Sequence, residues 1–200
     1  MGIEAQVGAD VDLRRAWAPA MAGAAAARLV LISECAAPDP LDDYDGSPGS
    51  LFDATTLEAF NAAGLRVRTT QDLTALGIHR TVAVRHPKTA SGIRAATVRA
   101  HAPVLGAELD RLPAARAYLL MGDVAIAALN HIARSRTGKR AVPAGATYRI
   151  RGGAYELDGV RLFPSYLQAG PAWRIEASKR QMIAEDIAAA LVVAGIPASA

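Results

Sequence analysis

A single cysteine, Cys35, in 200 residues rules out an internal disulfide framework. It also rules out any site that needs several thiolates, such as a zinc knuckle or a protein-ligated iron–sulfur cluster. Long apolar runs are missing too. No stretch reaches the roughly 20 uninterrupted apolar residues that a bilayer span requires. Residues 1–30 carry acids where a secretory signal carries positive charge, so the expected location is the cytoplasm, with no membrane partner. Lysine is scarce: of 22 cations only Lys88, Lys139 and Lys179 are lysine, and the rest are arginine, the better bidentate fork for phosphate. The formal net charge of +3 suits a polyanionic partner, and it suits a merely arginine-rich composition equally well.

What is present points to one domain. Half of the chain is apolar (52%), enough at this length for one core. Four short apolar runs bounded by turn signals read as buried strands: 28–33, 80–85, 117–122 and 160–165. Between them lie helical patterns at 11–27, 53–63, 91–112, 123–134 and 176–193. Asp53 is placed to cap the second of these and Gly64 to end it, while Pro103 should kink or divide the third. Strands alternating with helices predict right-handed parallel crossovers. The fold class expected is α/β, a three-layer α/β/α arrangement with a central, mainly parallel four-stranded sheet.

In such sheets ligands bind beyond the carboxyl ends of the strands. This selects the loop after the first strand, "ECAAPDPLDDYDG", with Glu34, Asp39, Asp42 and Asp43, and also "HPKTASG", "DVAIA" and "SYLQAGPAW". An acidic loop therefore faces a basic loop with a histidine and an aromatic one.

The ordered motifs resemble those of the uracil-DNA glycosylase superfamily, most closely its family 4 branch. "SECAA" followed by "YDGSPGSLF" (Tyr44 to Phe52) is similar to the branch's GEAPG and PFVGxAGxLL motif. "TVAVRHPK" is similar to NVVKCRPP, "MGDVAIAAL" to LGxxAxxALL, and "IRGGAYELDGVRLFPSYLQ" with "SKRQMIAEDIAAAL" to the LRG, HPSYLL and Lys-Arg helix ending. The series covers about residues 28–191. The departures are specific. The branch's cluster cysteines are absent, Phe163 replaces the HPS histidine, Thr81 replaces the uracil-reading asparagine, and three residues are missing before Tyr44. The resemblance implies a single glycosylase-like domain that extrudes a base from DNA, and because the lone cysteine excludes the branch's iron–sulfur cluster, no cofactor or metal is expected.

Hydrolysis of an N-glycosidic bond wants a carboxylate near the sugar and hydrogen-bond donors near the departing base. Glu34, which aligns with the motif glutamate, Asp42 and Asp43 are the candidates for the first, although some of the loop's acids are expected to serve as turn caps. His86 is the candidate donor, with the alternative that "RHPK", including Arg85 and Lys88, only meets phosphates. Tyr44 is expected to stack on the base. Cys35, Thr81 and Phe163 are placed in the base pocket by the resemblance; a buried hydrophobe-like thiol and a strand-forming threonine are the plainer readings of the first two. Base extrusion needs a gap-filling wedge, assigned to Tyr166 or Leu167, with Ser165 on a phosphate. The six cations of 134–151, Lys139 and Arg140 among them, form a candidate phosphate track.

The expected function is that of a monomeric, monofunctional DNA glycosylase excising uracil or related damaged bases in base-excision repair. Two alternatives stand beside it: a DNA-binding or damage-sensing module of the same fold without the reaction, and a hydrolase of free nucleosides.

Overall fold

The computed structural model describes residues 24–88 and 92–198. Most of the expected leading helix, with Trp17, falls outside the described residues; its end, Ala24–Ala26, is a 3-10 turn. The sheet has the order β2-β1-β3-β5-β4, built from β1 (Leu29–Ala36), β2 (Ile78–Pro87), β3 (Ala117–Met121), β4 (Tyr155–Leu157) and β5 (Val160–Ser165). Neighbours β2-β1, β1-β3 and β3-β5 are parallel. All four expected strands are present, and β1 and β2 run further than their apolar runs suggested.

A fifth strand corrects the expected count of four. β4 pairs antiparallel with β5 through Asp158 and Gly159, which take φ of 51° and 80°. Positive φ at both central residues is what a type I′ two-residue hairpin turn requires, and an Asp-Gly pair supplies it at low strain. The motif "ELDGVRL" thus carried the signal, but β4 is only three residues long and contributes one buried side chain, Leu157.

Helices cover both faces. On one side lie α3 (Ala95–Leu109) and α4 (Asp123–Thr137), over Val30, Ile32, Tyr118, Leu120 and Leu162. On the other lie α1 (Leu51–Ala62) and α7 (Ala177–Ala194), over Leu29, Leu31, Ala117, Leu119 and Phe163. Alternate residues of one strand therefore enter opposite cores, as the pleat dictates. Short helices α2 (Thr70–Ala75), α5 (Thr147–Ile150) and α6 (Ala172–Ile175) fill connections.

Two local expectations change. Ser50, not Asp53, caps α1, its hydroxyl accepting from the Asp53 N–H. The Asp53 carboxylate instead accepts from the Asp45 N–H and pairs with Arg80. Pro103 does not divide α3, because it sits on the exposed side of the helix, where the carbonyl it leaves without a donor meets water.

Tyr118 offers a test of this core. It lies under Leu120's face of the sheet, buried, and burial pushes its phenol up to about 12 from 10.0. An unfolded chain ionises this group two units earlier, so the stability it contributes is complete below pH 10 and lost as pH rises through 12. Alkaline titration of tyrosinate absorbance should show a late component near 12 that Tyr118→Phe removes.

Candidate functional site

The carboxyl edge of the sheet gathers most of the expected residues. β1 carries Ser33 toward Tyr44 and Gln168 on the α1 side, and Glu34 toward α4. Glu34 is buried, and its Oε1 accepts the Val124 N–H at 3.2 Å in the first turn of α4. Its Oε2 lies 3.5 Å from Lys88 Nζ at the end of β2. The positive end of the helix and one ammonium therefore hold the carboxylate in place. Gly122, which precedes α4 with φ 99°, makes this possible: a Cβ there would stand 2.5 Å from Glu34 Oε1. Cys35, next on the strand, is buried, and burial together with the neighbouring Glu34 raises its thiol, so it is a poor nucleophile.

The acidic loop divides into scaffold and remainder. Asp39 caps a 3-10 turn at Pro40–Asp42 by accepting from the Leu41 N–H at 2.9 Å. Asp43 accepts from the Ala37 N–H at 3.2 Å and from the Tyr44 N–H at 2.8 Å; burial raises its pKa, and these two donors work against that rise. The half-exposed Asp42 forms no hydrogen bond or ion pair through its carboxylate among the described residues. Asp42 is thus the acid of this loop least occupied by shaping it, and Glu34, held from the strand, takes no part in the loop's own turns.

Tyr44 joins this loop to the segment after β5. Its hydroxyl lies 2.7 Å from Ser33 Oγ and receives a bond from Gln168 Nε2 at 2.8 Å, and the Gln168 nitrogen is 3.2 Å from both Ser33 Oγ and Thr56 Oγ1. Gln168 is fully buried, so its amide is satisfied only by this cluster. One side of the Tyr44 ring is covered by the Arg80 guanidinium, 5.5 Å from the centroid, and the ring meets Phe52 edge to face at 5.4 Å. A stacked base would have to use what these neighbours leave of the ring.

Several expected contacts have other partners. Thr81 donates to Glu108 Oε2 at 3.0 Å and accepts from Arg85 at 3.2 Å, facing α3 rather than a base. Arg85 is held by Glu108 at 2.5 Å, and His79 Nε2 lies 2.8 Å from the same carboxylate. His86 packs edge to face on His101 at 5.1 Å. Phe163 is a core residue under α7, with Arg161 over its ring. Ser165 is buried and donates to Asp186 Oδ2 at 2.6 Å, which Arg151 also holds at 3.1 Å, so its hydroxyl is not offered to a phosphate. Tyr166 and Leu167 are half-buried against the α1/α7 core.

The cation track is split by topology. α4 begins at the carboxyl edge and runs back along the sheet, so Lys139 and Arg140 lie at the opposite, amino edge, where Arg136 pairs with Asp110 and Asp158. The chain returns to the carboxyl edge only at α5, where Thr147 donates to Asp123 at 3.3 Å. Exposed Arg149 in α5 and exposed Arg94 before α3 lie at this edge.

Glu108 and Gln168 were missed as organising residues. Glu108 had a signal: at helical spacing it falls on the stripe of His101, Leu105 and Leu109, where a carboxylate needs a buried partner. Gln168 had none, since its partners are 112 to 135 residues away. Among the described residues no group of three or more His, Cys, Asp or Glu side chains is placed to hold a metal ion, and no helix is long and apolar enough to cross a membrane. The chain matches no protein-family model and no curated protein sequence.

Proposed function

We propose that the protein is a DNA glycosylase of the uracil-DNA glycosylase type, which hydrolyses the bond between an extruded base, uracil or a related damaged base, and its sugar. The observation that carries this reading is the meeting of the acidic loop and the post-β5 segment at one sheet edge, through Tyr44, Ser33 and Gln168, with the anchored Glu34 carboxylate at the same edge on the other face of β1. Strands β1 and β5 both run parallel to β3, so the loops that follow them rise on the same side. Glu34 faces the sugar, where it orients the attacking water and stabilises positive charge developing on the ring. Lys88, Arg94 and Arg149 supply the cations that meet phosphates, a sequence-independent attraction that salt weakens.

Incubation with oligonucleotides that each carry one uracil, hypoxanthine, xanthine or 5-hydroxymethyluracil, followed by alkaline cleavage of abasic sites, tests this reading. Cleavage at one or more lesions is expected; an intact panel overturns it. A second reading, a damage-binding module without turnover, is favoured by one observation: Phe163, in the place of the family's donor histidine, is packed in the core and donates nothing. Binding to the same panel without cleavage would select it.

A further inference from the structure

A base leaves a duplex stably only if something takes its place in the stack, and an apolar side chain on a fixed support does this best. The two residues expected to do so, Tyr166 and Leu167, pack against the protein's own core. Among the described residues, the large apolar side chains left exposed are Leu41, Val104, Tyr148, Val192 and Val193. Val104 is on the outer side of α3, and Val192 and Val193 are in the last turn of α7, away from the carboxyl edge. Tyr148 is at that edge, but its hydroxyl receives a bond from Arg149. Leu41 is 61% exposed, at the tip of the loop that follows β1 and between Pro40 and Asp42.

A lone exposed leucine is ordinary. The support beneath this one is not. Asp39 caps the turn, the Asp42 N–H donates to Asp39 O at 2.9 Å, and Ser47 Oγ donates to the Leu41 carbonyl at 2.8 Å. Pro40 fixes one φ directly, and Asp45 is held at φ 58°, where an L side chain is strained. Gly46 lies so close beneath the turn that a Cβ there would stand 2.1 Å from Pro40 O. The backbone is braced by these contacts, and the side chain it presents is apolar and 61% exposed. It stands three residues before Tyr44 and one before Asp42.

We infer that Leu41 is the wedge that enters the stack at the position vacated by the extruded nucleotide. This rests on the glycosylase reading for its enzymatic consequence, but not for its structural one. The wedge matters only where a partner base and two neighbouring pairs must be held apart. Leu41→Ala should therefore slow excision from a base-paired lesion by at least about tenfold and leave excision from a single strand within about twofold. Leu41→Met, which keeps length and apolarity, should restore most of the duplex rate. Thermal unfolding of Leu41→Ala should match the parent, as the side chain has little packing to lose.

A second readout does not need turnover. A duplex carrying uncleavable 2′-fluoro-2′-deoxyuridine beside 2-aminopurine should brighten when the parent protein binds, as the probe unstacks, and brighten much less with Leu41→Ala. Equal duplex rates for the two proteins, an equal loss on single and double strands, or no brightening with the parent would each overturn the inference. Brightening that depends on Leu41, with no excision of any lesion, would sustain the wedge and remove the glycosylase reading.

Discussion

Glu34→Gln is expected to lower single-turnover excision by about 10²–10⁴-fold, with thermal stability close to that of the parent. Glutamine keeps the shape and can still accept the Val124 N–H through its amide oxygen, so the local backbone has no reason to move. What it loses is the negative charge beside the sugar and the ability to take a proton from water. The parallel changes Asp42→Asn and Asp43→Asn separate the candidates. Asp42→Asn should have an intermediate effect or none, because among the described residues its carboxylate holds no partner. Asp43→Asn should act through the loop, since both carboxylate oxygens receive backbone N–H groups. An Asn side chain offers one oxygen in their place, so a loss of stability accompanies any loss of rate. Full activity in Glu34→Gln would transfer the catalytic role to another group.

The second large effect is on stability and comes from a residue away from the carboxyl edge. Glu108→Gln should destabilise the protein by about 3–5 kcal/mol, measured as a lower denaturant midpoint at unchanged slope. Glu108 is 1% exposed and its two oxygens serve His79 at 2.8 Å, Arg85 at 2.5 Å and Thr81 at 3.0 Å. Removing its charge takes from the mostly buried Arg85 guanidinium its closest anion, and breaking a buried pair by removing one partner costs more than the pair contributes when intact. A loss of that size is a large share of the roughly 5–15 kcal/mol that holds a typical domain together. Replacing Glu108 and Arg85 together by apolar residues of similar volume should recover part of it, since the guanidinium is then gone while His79 and Thr81 still lose their partner. Arg85 sits at the carboxyl end of β2, with its charge felt at Asp43, so Glu108→Gln should also weaken excision through the misplaced arginine.

How much of this was legible in the chain differs element by element. The runs 28–33, 80–85, 117–122 and 160–165 announced the parallel strands, because a strand buried on both faces is apolar throughout and bounded by turns. Gly64 as the end of α1 was likewise readable, and so was the presence of turn caps among the loop's acids, since each acts within a few residues of its own position, though not that Asp39 is one of them. The Asp-Gly hairpin was written in the sequence and overlooked beside the longer strands. Thr81 and Ser165 were assigned to DNA from motif alignment, and Lys139 and Arg140 from the run of cations at 134–151; their neighbours in space are Glu108, Asp186 and the amino edge of the sheet.

The sequence by itself determined the local and periodic matters: which segments extend, which coil, where they turn, and that a carboxylate-rich loop follows the first strand. Only the tertiary structure decided which polar side chains are left to meet a ligand. A hydroxyl or carboxylate is the same residue whether it faces solvent or a buried partner more than a hundred positions away, and hydrogen bonding is settled by geometry in space. That is why Ser165 is bound by Asp186 while Glu34 and Leu41 stand at the edge.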